Sequence, residues 1–444
     1  MTKDLTEGKP LPILLKFSLP VIAGNLFQLL YTLADTLIVG KTLGVGALSA
    51  VGSTSTIIYF VLVFIQGLTS GFSIVLAQAY GMKDKDGVKK SIVASIYLSA
   101  IISVLLTVIT LSLSKAITIW MKIPSEIESD AYTYLFIVLA GTVTTVFYNL
   151  ISNILRALGD SKLPLIFLVI SSVLNIVLDY VLIIYTPLGV GGAALATVFS
   201  QLVATLLCFY VAFKRYEEMR IEKRLWKFNL KIALSHLKIG MLMGTQMSVM
   251  CIGQLIMQGA VNSLGTVAIA GYTAASKVDQ LGVLVDNAFI SAIASYVSQN
   301  YGAAKLDRVK DGIRASLILV GATTIIMILI IVLLMPYIVN IFISNPDAGV
   351  YQYVKEYFMI ILPCYPLLGL LCIYRTADQS MNISWAPLVA CLVELLSRCI
   401  GSIGLRSVLG YKGIILSHPL AWIGAIIVTL PTYYLYMKRA KSIK

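Results

Sequence analysis

Twelve apolar runs, each long enough to cross a bilayer, divide this chain, and no other feature limits its possible folds as much. A helix rising 1.5 Å per residue needs about 20 apolar residues to traverse roughly 30 Å of hydrocarbon. The runs between polar breaks predict helices near 15–39, 52–79, 91–113, 131–155, 163–185 and 190–213. A second set follows near 235–262, 270–299, 313–338, 351–374, 385–407 and 411–437. Lipid offers no hydrogen bonds to an open backbone, so spans of this length must be helical. With 58% hydrophobic and 12% charged residues, against about 25% charged in a soluble domain, most of the surface has to face lipid. The expected fold class is all-α integral membrane.

The basic residues sort to one side. Lys83, Lys85, Lys89 and Lys90 follow the second run, Arg156 and Lys162 the fourth, and Lys305, Arg308, Lys310 and Arg314 the eighth. More lie at 214–238 and in the tail at Lys438, Arg439, Lys441 and Lys444, whereas an intervening loop carries Glu126, Glu128 and Asp130. The positive-inside rule then puts both termini in the cytoplasm. A net charge of +13 without a nucleic-acid-binding motif or aromatic interleaving argues for loops at a membrane surface, not a nucleic-acid partner. The six cysteines sit in apolar runs with no CxxC, and His236 and His418 have no ligand cluster around them. No cofactor is expected.

An internal repeat organises the spans. Gln78 with Tyr80-Gly81 recurs as Gln299 with Tyr301-Gly302, and Leu43-Gly44 with Ala47 recurs as Leu264-Gly265 with Ala268, all at a spacing of 221. Arg156 and Arg375 match at 219. Six spans per copy predict parallel lobes related by a pseudo-two-fold axis along the membrane normal. The expected division is a first lobe at 1–213, a basic cytoplasmic linker at 214–234 and a second lobe at 235–444.

Asn25, Gln28, Thr32 and Asp35 form one helical stripe, and Ser172, Asn175 and Asp179 form another. Asp35, Asp179, Thr197 and Tyr134 fall at similar depths, roughly 5–10 Å from the outer ends of their spans. Two carboxylates without a fixed basic partner are costly in lipid. Binding a cation or taking up a proton relieves them, so this group is the expected coupling site, for H+ or for Na+. Alternatively, each aspartate hydrogen-bonds within a packed bundle or reaches headgroups.

The second lobe reads differently. At a spacing of 219, Asn175 maps to Glu394 and Asp179 to Arg398, a structural ion pair at i, i+4. Lys277, Asp279 and Asp286 compensate other charges or line a cleft; Gln254 and Gln258, with Asn262, contact substrate or bond neighbouring helices. Pro20 lies inside the first span, where a missing hydrogen bond favours a hinge.

The run from Pro20 through Asn25, Gln28, Asp35 and Val39-Gly40 to Leu43-Gly44 resembles the first span of the multidrug and toxic compound extrusion (MATE) transporters. Arg156-Ala157-Leu158-Gly159-Asp160-Ser161-Lys162 with Pro164, then Asn175, Asp179-Tyr180, Gly191-Gly192-Ala193-Ala194 and Ala196-Thr197, continue the likeness. The resemblance implies a secondary antiporter that exports amphipathic, often cationic small molecules in exchange for H+ or Na+ from the cell membrane, working as a monomer. It implies that Asp35 and Asp179 exchange the cation while Asn175, Thr197 and Tyr134 hold the hydrogen-bond network. It also implies that Pro20 bends, and that Gln28 and Ser172, with Asn149 or Asn153, face the substrate. Another branch of the family carries acidic residues in spans seven and ten; here span seven offers Gln246 and Gln254, and span ten only Glu356 near its outer start. Coupling through the second lobe is therefore not expected.

Two other functions fit less well. A flippase for lipid-linked oligosaccharides would need several basic residues in its cleft, where Lys277 and Arg398 alone qualify. A membrane-embedded enzyme would need catalytic groups in substantial loops, which the chain lacks.

Overall fold

A computed structural model describes residues 4–121, 123–342 and 348–442, and no strand occurs among them. Lys444 of the basic tail lies outside the described residues. The helices are α1 (Pro10–Gly81), α2 (Lys85–Trp120), α3 (Ser125–Ala140), α4 (Thr142–Ala157), α5 (Lys162–Ile184), α6 (Val190–Arg215) and α7 (Leu230–Asn262). They continue with α8 (Thr266–Gly302), α9 (Leu306–Phe342), α10 (Ala348–Ile361), α11 (Tyr365–Ser380), α12 (Trp385–Cys399), α13 (Arg406–Leu409) and α14 (Tyr411–Ser442).

These elements resolve into the twelve expected spans. The 72 residues of α1 hold two of them, because Gly44 (φ 86°, ψ −173°) interrupts the helix. A Cβ at Gly44 would meet nothing within 4 Å, so the glycine is there for its positive φ and not for space. The fourth span, expected as one rod, is instead α3 and α4 bent by 44°. Gly141 stands at the bend, and a Cβ there would lie 2.3 Å from the Val198 side chain of α6. The tenth span, expected to end at 374, runs on through α11 to Ser380 and so takes in Asp378.

The repeat is written into the backbone. Positive φ occurs at Gly44 and Gly265, at Lys83 and Ala304, and at Gly189 and Gly410, each pair 221 residues apart. Lys83 and Ala304 close their helices with one pattern of bonds: Asp84 N–H to Ala79 O at 3.4 Å, and Lys305 N–H to Asn300 O at 2.9 Å. After the fourth and tenth spans the matching residues are Gly159 and Asn382, and the residues just before the next helices are Ser161 and Ser384. Both pairs are 223 apart, not 219. The assumed register was one helical turn out, because Arg156 and Arg375 look alike without being equivalent. Counted from the helix starts, Arg398 corresponds to Asn175 and Glu394 to Ser171.

The chain forms two compact units. The first comprises Leu19–Gly244 and the second Leu5–Ser18 with Thr245–Lys444, so the chain changes unit inside α1 and inside α7. In the first unit α7 crosses α1 through glycines on both helices. A Cβ at Gly67 would lie 2.6 Å from Met243 O, and one at Gly71 would lie 2.5 Å from Gly240 Cα. Two small-xxx-small patterns bring the backbones together there. Residues 214–234, expected as a linker, include two 3-10 turns with Met219 and Leu225 buried. Ion pairs join this stretch to the start of α2: Lys89 to Glu222 at 3.2 Å and Arg224 to Asp86 at 3.2 Å. In the second unit a cluster around Tyr272, Tyr357, Tyr365, Tyr411 and Trp422 forms the core.

Candidate functional site

The first unit gathers Asp35 from α1, Asn175 and Asp179 from α5, and Thr197 from α6 into one polar group. Asp179 and Asn175 are one turn apart on α5 and are 0% and 1% exposed, so both carboxyl and amide are removed from lipid and water. The carboxyl groups of Asp35 and Asp179 are close neighbours. In one amide orientation Asn175 Nδ2 lies 3.3 Å from Thr197 Oγ1. In the other it donates to Asp179 Oδ2 at 3.0 Å while Asn175 Oδ1 accepts from the Thr197 N–H at 3.2 Å, satisfying both ends. Oδ1 of Asp35 and Oδ1 of Asp179 are buried without a partner. Among the described residues no lysine or arginine pairs with either aspartate.

Tyr134 of α3 packs beside the carboxyls within an apolar cluster containing Val39, Ile183, Val190 and Ala194. Tyr31 also belongs to this group: it neighbours Thr197 and both aspartates. Sequence reading missed Tyr31, although it lies one turn before Asp35 on the same stripe.

The other candidates do not converge here. Gln28 is exposed, and Thr32 Oγ1 bonds back to the Gln28 carbonyl at 2.9 Å. Asn25 is half-buried. Ser172 Oγ donates to Leu168 O at 2.8 Å and Asn149 Nδ2 to Thr145 O at 2.9 Å, both within their own helices. Asn153 donates to Thr69 Oγ1 at 3.0 Å. At Pro20 the helix continues without a break. Asp160, from the motif after the fourth span, is structural. It accepts the Lys162 and Leu163 N–H groups at 2.8 and 3.1 Å and a hydrogen bond from Tyr216.

In the second unit Glu394 pairs with Arg398 at 3.5 Å, and Arg375 of α11 joins it on the other oxygen, making a triad of the expected pair. Gly253 leaves room for this arrangement, since a Cβ there would lie 2.9 Å from Arg398 Cδ. Asp279 accepts a hydrogen bond from Tyr365 and neighbours Tyr357. Gln254 is exposed, and Gln258 bonds Asn262 at 2.8 Å. Asp286 borders a crevice. Asp378 is fully buried with both oxygens unpartnered; sequence reading placed it in a loop.

Comparison with known proteins agrees with this architecture. The chain is 33% identical over 368 residues to the "Probable multidrug resistance protein YpnP" of Bacillus subtilis, covering 82% of this chain and 81% of that protein. It is 29% identical over 342 residues to the "Probable multidrug resistance protein NorM" of Thermotoga maritima, covering 75% and 72%. A crystal structure of MATE in complex with MaL6 superposes with a TM-score of 0.90 at 24% identity over the whole of both chains, a likeness of fold. A family model, MatE, matches twice, at residues 20–181 and 243–402. One copy per half, together with twelve spans and a relative one-third identical, establishes that this multi-pass membrane protein belongs to the MatE family of multidrug efflux transporters.

Proposed function

We propose that the chain is a secondary antiporter that exports amphipathic or cationic small molecules from the cell, driven by inward movement of H+ or Na+ through alternating access. The observation that carries this reading is the buried juxtaposition of the Asp35 and Asp179 carboxyls, with no basic partner among the described residues. Two neighbouring buried carboxylates repel each other, and either a proton or a bound Na+ relieves that repulsion. Occupancy of this pair is then linked to the ion gradient. Asn175, Thr197 and Tyr134 hold the pair in register, and transport moves the cation in as cargo leaves. The basic loops face the cytoplasm, with both termini, at the plasma membrane.

The reading is tested in proteoliposomes with sodium and pH gradients imposed separately. One of the two gradients is expected to drive efflux in the native protein, and neither should do so in Asp35→Asn or Asp179→Asn. Gradient-driven efflux at the native rate in both variants would remove the assigned mechanism.

A further inference from the structure

The stretch that leads from α6 into α7 has two edges of different character. One is tied to the first unit by charge. Lys89 and Arg224 pair with Glu222 at 3.2 and 2.7 Å, and Arg224 also pairs with Asp86 at 3.2 Å. Lys85 pairs with Glu217 at 3.6 Å. Arg220 closes the end of α6 by donating to the Phe213 and Lys214 carbonyls, and the Lys214 ammonium lies 4.5 Å from the centre of the Tyr210 ring. Leu225, Ala233 and His236 are buried.

The other edge is basic and apolar at once. Lys223, Lys227, Lys231 and Lys238 are exposed and form no ion pair among the described residues. Lys231, Leu234 and Lys238 stand at i, i+3 and i+7, one stripe of α7. Trp226, Phe228, Leu230 and Leu234 are exposed among these lysines. Four large apolar side chains left bare in so short a stretch mark a surface that meets something other than water. Two of them are held in place while exposed. The Tyr97 hydroxyl of α2 donates to Trp226 O at 3.1 Å, and its ring meets the Trp226 and Phe228 rings edge-on at 6.2 and 6.0 Å.

Aromatic rings beside unpaired lysines suit a bilayer interface, where rings sit at headgroup level and long lysine stems carry their ammonium groups to phosphates. Charge then selects the lipid. Glu217, Glu222 and Asp86 are engaged on the first edge, and Glu218, the remaining acid of 214–238, is outnumbered by four lysines. The missing counter-charge has to come from outside the chain. We propose that the segment 226–238 is a docking surface for an anionic phospholipid of the leaflet it meets. Lys227, Lys231 and Lys238 hold the headgroup phosphate, and Trp226, Phe228, Leu230 and Leu234 lie against the acyl chains below it. The proposal depends neither on the coupling pair nor on the cargo.

The test is tryptophan quenching in the full-length protein reconstituted into phosphatidylcholine vesicles. Either brominated phosphatidylglycerol or brominated phosphatidylcholine is added as a minor component, and the emission lost in Trp226→Phe isolates this site. Brominated phosphatidylglycerol is expected to be preferred at Trp226 by about fivefold or more at low salt, and the preference should shrink as salt is added. Lys231→Gln with Lys238→Gln should remove most of it. Lys85→Gln with Lys214→Gln takes away the same charge from lysines that are already engaged, and should leave the preference in place. Equal quenching by the two lipids, or equal loss in the two double variants, would overturn the proposal. No quenching of Trp226 by either lipid would overturn it too, giving the face to water or to a protein partner.

Discussion

The two halves share their turns but not their charges. Gly44 and Gly265 break the chain in the same way, and the same closing bonds end the second and eighth spans. Yet the fifth span carries Asn175 and Asp179 against Asp35, while the eleventh carries Glu394 locked between two arginines. Backbone equivalence is kept at the positive-φ turns, by glycine at Gly44 and Gly265 and by other residues at Lys83 and Ala304. Buried polar side chains are free to diverge provided each unit satisfies its own. The first unit leaves its acidic pair without a fixed cation among the described residues, and the second closes its glutamate with two.

Substitutions can break that contrast, and the largest expected effect lies in the first unit. Asp179→Asn should lower gradient-driven efflux by roughly a hundredfold with the protein still folded in the membrane. Efflux assays paired with gel filtration check this. In the second unit Glu394→Ala strands two arginines, and should destabilise the fold by about 3–5 kcal/mol as followed by thermal unfolding. Arg398→Ala should cost less, because Arg375 still serves Glu394. Adding Arg398→Ala to Glu394→Ala should recover only part of the loss, since Arg375 stays unmatched. Full recovery would mean a pair and not a triad.

A smaller effect concerns packing. Gly71→Ala should lower stability by about 1–3 kcal/mol, because its methyl group meets the Gly240 backbone. Ala292, 221 residues on, already carries that methyl and is buried at 1% exposure. Gly321→Ala, where a Cβ meets nothing within 4 Å, is the control. The smallest effect lies in the exposed stretch before α7. Hydrogen bonds from Arg224 and Lys89 hold the Glu222 carboxyl below its usual range. A depressed carboxyl contributes above its unfolded value of about 4.3 and ceases to as pH falls through the folded one. Protease nicking at 217–229 should therefore rise modestly below about pH 4, and with added salt, which screens exposed pairs. Glu222→Gln should flatten the pH response.

Span number and the acidic pair were legible because hydrocarbon thickness fixes run length and a carboxylate in an apolar run stands out. The group around Asp35 was found from depth and helical face. A shared stripe does not say which neighbour a side chain meets: Ser172 bonds within its own helix, and Gln28 is exposed. The bend at Gly141 was not legible, because it depends on Val198, far along the chain. Arg375 was misassigned because two arginines near helix ends look equivalent until the helix starts are known. Asp378 lies beyond 374, the expected end of the tenth span, whereas the helix runs on past it and leaves it fully buried.

The single-residue joint at Gly44 has a mechanical consequence. A link that short has no slack, so a twist of the first span is handed to the second instead of being absorbed between them. The pair behaves as one bent lever, and a few flexible residues inserted at that corner would disconnect its arms while leaving each arm intact.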